Sequence, residues 1–294
     1  MTLLLSGRVA IVTGAGQGLG RAHALALARH GARVVVNDID TAAAAEVARE
    51  IVASDGDSVA SGANVQQCAE VETMVADAIR RWGQVDVLVN NAGVLRDRTF
   101  ANLELADFRL VLDTHVMGSV NCTRAVWQHM KSRGFGRVIF TSSSSGLFGN
   151  FGQSAYSAAK MALVGLMKTL ALEGERYGIR VNCLAPSAAT RMTNGLYSAE
   201  ELRELEADRV SPAVVALASD AAPNRRIVLA GAGSFEEAYV TMTRGLYLTD
   251  RDLTPERLLA QWDRVCDRTG DFVPATGPEQ YQFEVRQSRA GARE

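Results

Sequence analysis

The chain has 294 residues, 47% of them hydrophobic, and its 31 Lys and Arg against 33 Asp and Glu leave a formal charge of -2. That length allows one large core in one α/β domain or in two small ones, and a near-neutral charge with no basic run excludes nucleic acid as an expected partner. Cys68, Cys122, Cys183 and Cys266 form no CxxC pair, and none stands at ligand spacing from His23, His30, His115 or His129, so reduced thiols in a cytoplasmic protein are expected, and no metal.

The chain opens MTLLLSGRVAIVTGAG, a short apolar run without a basic flank or a small-residue cleavage site, so no secretory leader is expected. No apolar stretch reaches the roughly 18 residues of a membrane span. Short β-branched runs recur at 8–13, 33–37, 85–90, 137–142 and 179–184, with a sixth at 226–230. Between them helices are expected at 18–30, 42–54, 67–82, 105–133 with an interruption, 154–177 and 213–220. Strands such as VAIV, VVV and RVIF are apolar on both faces, which predicts a Rossmann-like, doubly wound parallel sheet with helices on both sides, in one domain. The boundary of that domain is expected at 244, with residues 191–210 as a charged lid over the substrate. From 245 the composition turns polar, with one helix at 255–268 capped by Thr254 and an irregular surface tail beyond it.

The first strand runs into Gly14, Gly16, Gln17, Gly18, Leu19 and Gly20, which open a helix. Glycines there let backbone amides approach a pyrophosphate at a helix N-terminus, and strand–turn–helix context makes this a dinucleotide fingerprint; a tight structural turn is the alternative. The second strand ends at Asp38, about 20 residues on, where a carboxylate reads a ribose 2′-OH. No Lys or Arg stands at 15–19 to offset repulsion of a 2′-phosphate, so NAD is the expected cofactor. A helix-capping role for Asp38 is the competing reading.

Tyr156 and Lys160 stand four residues apart, on one face of a helix. A phenol titrates near 10, so it works as a base at neutral pH only with a positive charge beside it, which Lys160 and an oxidised nicotinamide can supply. Ser143, thirteen residues before Tyr156, ends the RVIFTS strand and can bond the substrate oxygen beside the phenol. Ser142, Ser144 and Ser145 are its neighbours, so a structural serine cluster stays open.

TGAGQGLG, the NNAG run at 90–93, Ser143 and YSAAK together resemble the short-chain dehydrogenase/reductase family, over residues 7 to about 233. The resemblance implies an oxidoreductase moving a hydride between a secondary alcohol and its ketone, with a ketoreductase or dehydrogenase of another alcohol on the same fold, or a non-catalytic NAD-binding regulator, as the alternatives. It also implies that Asn91, Ala92 and Gly93 bound the adenosine side, that Asn64 and Val65 touch adenine, and that Pro186 to Thr190 line the nicotinamide. His115 stands where the family's fourth catalytic residue, an Asn, is usual; a relay role and a packed histidine are both open. NAGVLRDRTF, HVMGSVNCTRAVWQHM and LAGAG are similar to the (3R)-hydroxyacyl-CoA dehydrogenase branch found in multifunctional enzymes of type 2, which implies an acyl-CoA or a steroid as substrate. That branch carries hydratase and lipid-transfer domains, for which 245–294 is too short, so a stand-alone dehydrogenase is expected. Arg96, Arg98 and Arg191 are candidate anion contacts, with solvated surface arginines the alternative. A homodimer or homotetramer is implied by the long helices at 105–133 and 154–177.

Overall fold

The computed structural model describes residues 4–189 and 198–291. Seven strands linked by helical connections build most of its sheet: β1 (Val9–Thr13), β2 (Arg33–Asn37), β3 (Ser58–Ser61), β4 (Val87–Asn90), β5 (Gly136–Thr141), β6 (Ile179–Ser187) and β7 (Ile227–Gly231). β8 (Ser234–Ala238) follows β7 across Ala232 and Gly233, whose φ values of 51° and 83° are those of a type I′ hairpin turn. The order is β3-β2-β1-β4-β5-β6-β7-β8. Every pairing from β3 through β7 is parallel. The connections leave β1 and β4 in opposite directions, which opens a crevice at the carboxyl ends of these two strands, the usual place for a ligand in such a sheet.

Side-chain alternation divides the core into two layers. Ala10, Val12, Val34, Val36, Val87, Val89, Ile139, Leu184 and Ala230 pack with helices α1 (Gly18–Arg29), α2 (Thr41–Ala53) and α9 (Ser211–Ala218). The intervening Ile11, Val35, Leu88, Val138, Phe140 and Cys183 are equally buried. They face α3 (Cys68–Trp82), α5 (Gly118–Arg133) and α7 (Ser154–Gly174), and the Cys183 thiol reaches the Leu163 carbonyl of α7. Burial of both faces is why these strands read as unbroken apolar runs.

The structure refines the sequence reading in several elements. β3 was not expected: SVAS is short and polar, and only Ser58 is buried in it. The interruption expected in the helix at 105–133 is present, a π-helical turn Asp113–Met117 between α4 (Leu105–Leu112) and α5. The run 255–268 breaks into α10 (Pro255–Ala260) and α11 (Trp262–Cys266), with Thr254 accepting from Arg257 as cap. The expected tail carries α12 (Pro278–Gly291), whose lack of an apolar stripe hid it. The lid at 191–210 lies partly outside the described residues; within them α6 (Ser144–Phe148) precedes α7, and α8 (Ala199–Glu204) is closed by a Ser198–Glu201 capping box.

The chain divides into two compact units, Met1–Glu237 and Ala238–Glu294. In the second, the Arg244 guanidinium lies 4.5 Å from the Phe272 ring, which tilts against Phe283. Among the described residues, no helix is long and apolar enough to cross a membrane, and no three His, Cys, Asp or Glu gather as metal ligands.

Candidate active site

The loop after β1 is held open by hydrogen bonds from distant chain. Asn91 donates from its side chain to the carbonyls of Thr13 and Gly14, at 2.9 and 3.0 Å, and the Thr13 hydroxyl accepts from the amides of Asn91 and Ala92. Gly14 and Gly20 cannot be replaced there. A Cβ on Gly14, already at a φ of 62°, would stand 2.8 Å from Ala92 Cα, and one on Gly20 would stand 2.1 Å from the Gly14 carbonyl. Gln17 opens α1 without a side-chain cap, so the first-turn amides of Gly18 and Leu19 have no side-chain acceptor. A helix start of this kind, behind a glycine loop, fits the pyrophosphate of a dinucleotide.

Asp38 stands beside this loop, its Oδ2 accepting from the Gly16 amide at 2.9 Å and its Oδ1 from the Asp40 amide at 3.0 Å. The cap of α2 is Asp40, which accepts from Ala43. The competing reading of Asp38 as that helix's cap is thereby removed. Asn64 closes its own turn by accepting from the Gln66 amide, and Val65 is buried, its carbonyl accepting from Asn121. Both follow β3, on the side of Asp38 away from β4.

The reaction-centre candidates lie at the other end of the same sheet edge. Ser143 lies two residues beyond β5 and caps α6 by accepting from Ser145, and its hydroxyl is near enough to the Tyr156 phenol to favour the phenolate. Ser142, its neighbour, donates to the Lys160 carbonyl, so the serine cluster is sorted by role. Lys160 is buried and donates from Nζ to the Thr141 carbonyl at 2.6 Å. Nζ lies 5.4 Å from the centre of the Tyr156 ring.

Electrostatics here run against the simplest reading of the Tyr–Lys pair. Burial pushes the Tyr156 phenol above its ordinary value, the Ser143 hydrogen bond opposes this, and the Asp97 carboxylate adds to the rise. Burial also pulls the Lys160 ammonium down to about 7. The protein by itself keeps the phenol protonated. Positive charge additional to Lys160 is required before the phenolate is favoured.

His115 is buried in the π-helical turn, with its ring edge-on to Tyr156 and the ring centres 5.3 Å apart. Its Nε2 lies 2.9 Å from the Val94 carbonyl and 3.0 Å from the Val94 amide, while Nδ1 meets no polar partner. An empty acceptor is tolerated in a core better than an orphaned N–H, so the Nε2–H tautomer donating to the Val94 carbonyl is favoured. Desolvation, then the Lys160 charge, pull this imidazole down to about 3, against the Val94 bond. It is neutral at physiological pH. Gly93 lies directly on it: a Cβ there would be 2.2 Å from His115 Cε1.

Pro186 sits in β6 beyond the last pairing with β5, where its missing N–H breaks no bond to that strand. Thr190 and Arg191 lie outside the described residues. Arg96 pairs with Asp107 at 3.3 Å, and Arg98 donates to the Asp97 carbonyl. Thr13, Gln66, Thr114 and Asn121 went unread in the sequence, because their partners lie tens of residues away and no spacing rule connects them.

A family model described as short chain dehydrogenase matches residues 8–201. The peroxisomal multifunctional enzyme type 2 of Mus musculus is 39% identical over 286 residues, which cover 93% of this chain and 38% of that protein. The chain spans less than two thirds of the peroxisomal multifunctional enzymes it matches. A short-chain type dehydrogenase/reductase of Mycobacterium tuberculosis is 40% identical over 273 residues, covering 90% of this chain and 95% of that one. Among solved structures, a 7α-hydroxysteroid dehydrogenase complexed with NADH and 7-oxo glycochenodeoxycholic acid superposes with a TM-score of 0.74 at 30% identity, covering 79% of this chain and 96% of that one.

Proposed function

The chain belongs to the short-chain dehydrogenase family, oxidoreductases that act on hydroxyl and keto groups with NAD(H) or NADP(H), and on that premise we propose that it interconverts a (3R)-hydroxyacyl-CoA and its 3-ketoacyl-CoA with NAD. The observation that carries the reading is one sheet edge bearing both the Asp38-flanked glycine loop and the Ser143–Tyr156–Lys160 group. The likeness to the dehydrogenase-bearing multifunctional enzymes supports the acyl-CoA. The hydroxysteroid neighbour favours a second reading, a steroid substrate.

The glycine loop and the uncapped start of α1 would hold the pyrophosphate, Asp38 the adenosine ribose, and Asn91 to Gly93 the wall of the cleft between them. Asp38 has no Lys or Arg among residues 39–43, and Arg21 is engaged with Glu50, so its charge would repel a 2′-phosphate. When bound, NAD supplies the carbon that takes or gives the hydride. Tyr156 carries the proton between its phenolic oxygen and the substrate oxygen, Ser143 orients that oxygen, and Lys160 supplies positive charge beside the phenol and a donor to the nicotinamide ribose.

We further infer a homodimer or homotetramer, which sedimentation tests. Four free thiols fit a reducing compartment such as the cytoplasm. The deciding experiment follows NADH oxidation with acetoacetyl-CoA, longer 3-ketoacyl-CoA esters and keto-steroids, with NADPH in parallel. Turnover of the acyl-CoA series with NADH is expected. Turnover of keto-steroids alone establishes the second reading, and equal use of NADPH overturns the cofactor assignment.

A further inference from the structure

The Asp113–Met117 π-helical turn is the most unusual backbone feature near the cleft. It buries two consecutive side chains, Thr114 and His115, at the point where α4 gives way to α5. They reach in different directions. The Thr114 hydroxyl accepts from Gln66 Nε2 at 3.0 Å and donates to the Leu110 carbonyl at 2.8 Å. Gln66 in turn closes the Asn64 turn, and from α5 Asn121 holds the Val65 carbonyl at 2.9 Å. His115 instead bonds Val94, fills the space over Gly93 and meets the edge of the Tyr156 ring.

The strand order says what these two destinations are. The loop after β3 flanks Asp38 at the end of β2, whereas Val94 follows β4 and Tyr156 lies beside the end of β5. A dinucleotide laid across the crevice, with its ribose on Asp38 and its reactive ring by Tyr156, would have its adenine over the first loop. From this the structure assigns the π-helical turn the role of a two-ended clamp: Thr114 positions the adenine loop through Gln66, and His115 positions Val94 and Tyr156. His115 is accordingly a positioning residue, one whose protonation does not change during turnover. This rests on the NAD reading above.

Titration of the full chain with NADH and with ADP-ribose, which lacks the nicotinamide, separates the two ends. Thr114→Val and Gln66→Met each remove the same hydrogen bond, and each should weaken NADH and ADP-ribose together by about 3- to 10-fold. The double variant should be no weaker than either single one, since the bond is lost only once. Gln66 is only partly buried, so Gln66→Met reads the bond even if Thr114→Val fails to fold. His115→Gln should leave ADP-ribose affinity unchanged, lower acetoacetyl-CoA-dependent NADH oxidation by at least about 10-fold, and keep the pH profile in shape. If wild type binds NADH but Gln66→Met binds ADP-ribose as wild type does, the clamp is refuted and the NAD reading stands. Equal loss of ADP-ribose binding in His115→Gln refutes it too, and a pH limb lost in that variant makes His115 a proton carrier instead. Failure of wild type to bind NADH overturns both.

Discussion

Replacing Lys160 by methionine should make the protein more stable and leave it inactive, and the size of the gain should depend on pH. The ammonium is buried and its pKa falls from 10.5 to about 7 through desolvation. At about 1.4 kcal/mol per pH unit, that gap corresponds to about 4 to 5 kcal/mol against folding while the group stays charged in the unfolded chain. Its hydrogen bond to the Thr141 carbonyl, from a charged donor, returns about 1.5 to 3 kcal/mol. A net gain of about 1 to 3.5 kcal/mol at pH 7, or roughly 2 to 14 °C in melting temperature, follows for Lys160→Met. The sign with pH is fixed by proton counting. Between about 7 and 10.5 the unfolded chain keeps the Lys160 proton that the folded chain releases, so wild-type stability rises with pH and the advantage of methionine shrinks across that window. Urea melts of both proteins at pH 7, 8.5 and 10 measure it. A methionine variant no more stable at pH 7, or an advantage that persists undiminished to pH 10, would refute the reasoning. A stabilising loss of a charged group beside the phenol is the usual trade of stability against function at a reaction centre.

Tyr156→Phe should lower turnover by at least about 100-fold while NADH affinity, read by fluorescence titration, stays at the wild-type value; appreciable residual turnover would remove Tyr156 from the chemistry. Asp38→Ser should move the NAD/NADP preference, as a ratio of kcat/KM, by at least about 10-fold toward NADP, since a fixed negative charge leaves the 2′ position; an unmoved ratio would mean that Asp38 does not face it. Gly93→Ala places a methyl 2.2 Å from His115 Cε1 and should destabilise the fold by about 1 to 3 kcal/mol, with an unshifted urea midpoint showing that His115 moves aside freely.

Much of this site is legible one residue at a time. The glycines read as a phosphate loop because positive φ and close backbone approach admit little else, and Gly14 and Gly20 are pinned by that requirement. Tyr156 and Lys160 share a helix face through local geometry, and the Ser143 offset follows from a strand that turns directly into α6. Asp38 was ambiguous because a carboxylate after a strand also suits a helix start, and only the Asp40–Ala43 bond decides between them. His115 was ambiguous for a different reason. Its role depends on Val94, Gly93 and Tyr156, none of which is its neighbour along the helix.

The sequence by itself therefore determined the alternation of strand and helix, the burial of the strands on both faces, and the residue types gathered at the cleft. These are properties of periodicity, and periodicity is set within one or two turns of chain. The tertiary structure alone decided which amide holds the glycine loop, that the interruption in the helix at 105–133 is a π-helical turn, and that burial opposes both charges of the Tyr156–Lys160 pair. Hydrogen bonds such as Asn91 to Gly14 and Gln66 to Thr114 join segments far apart in the chain, and desolvation depends on everything packed around a group. Neither quantity is carried by any local run of residues.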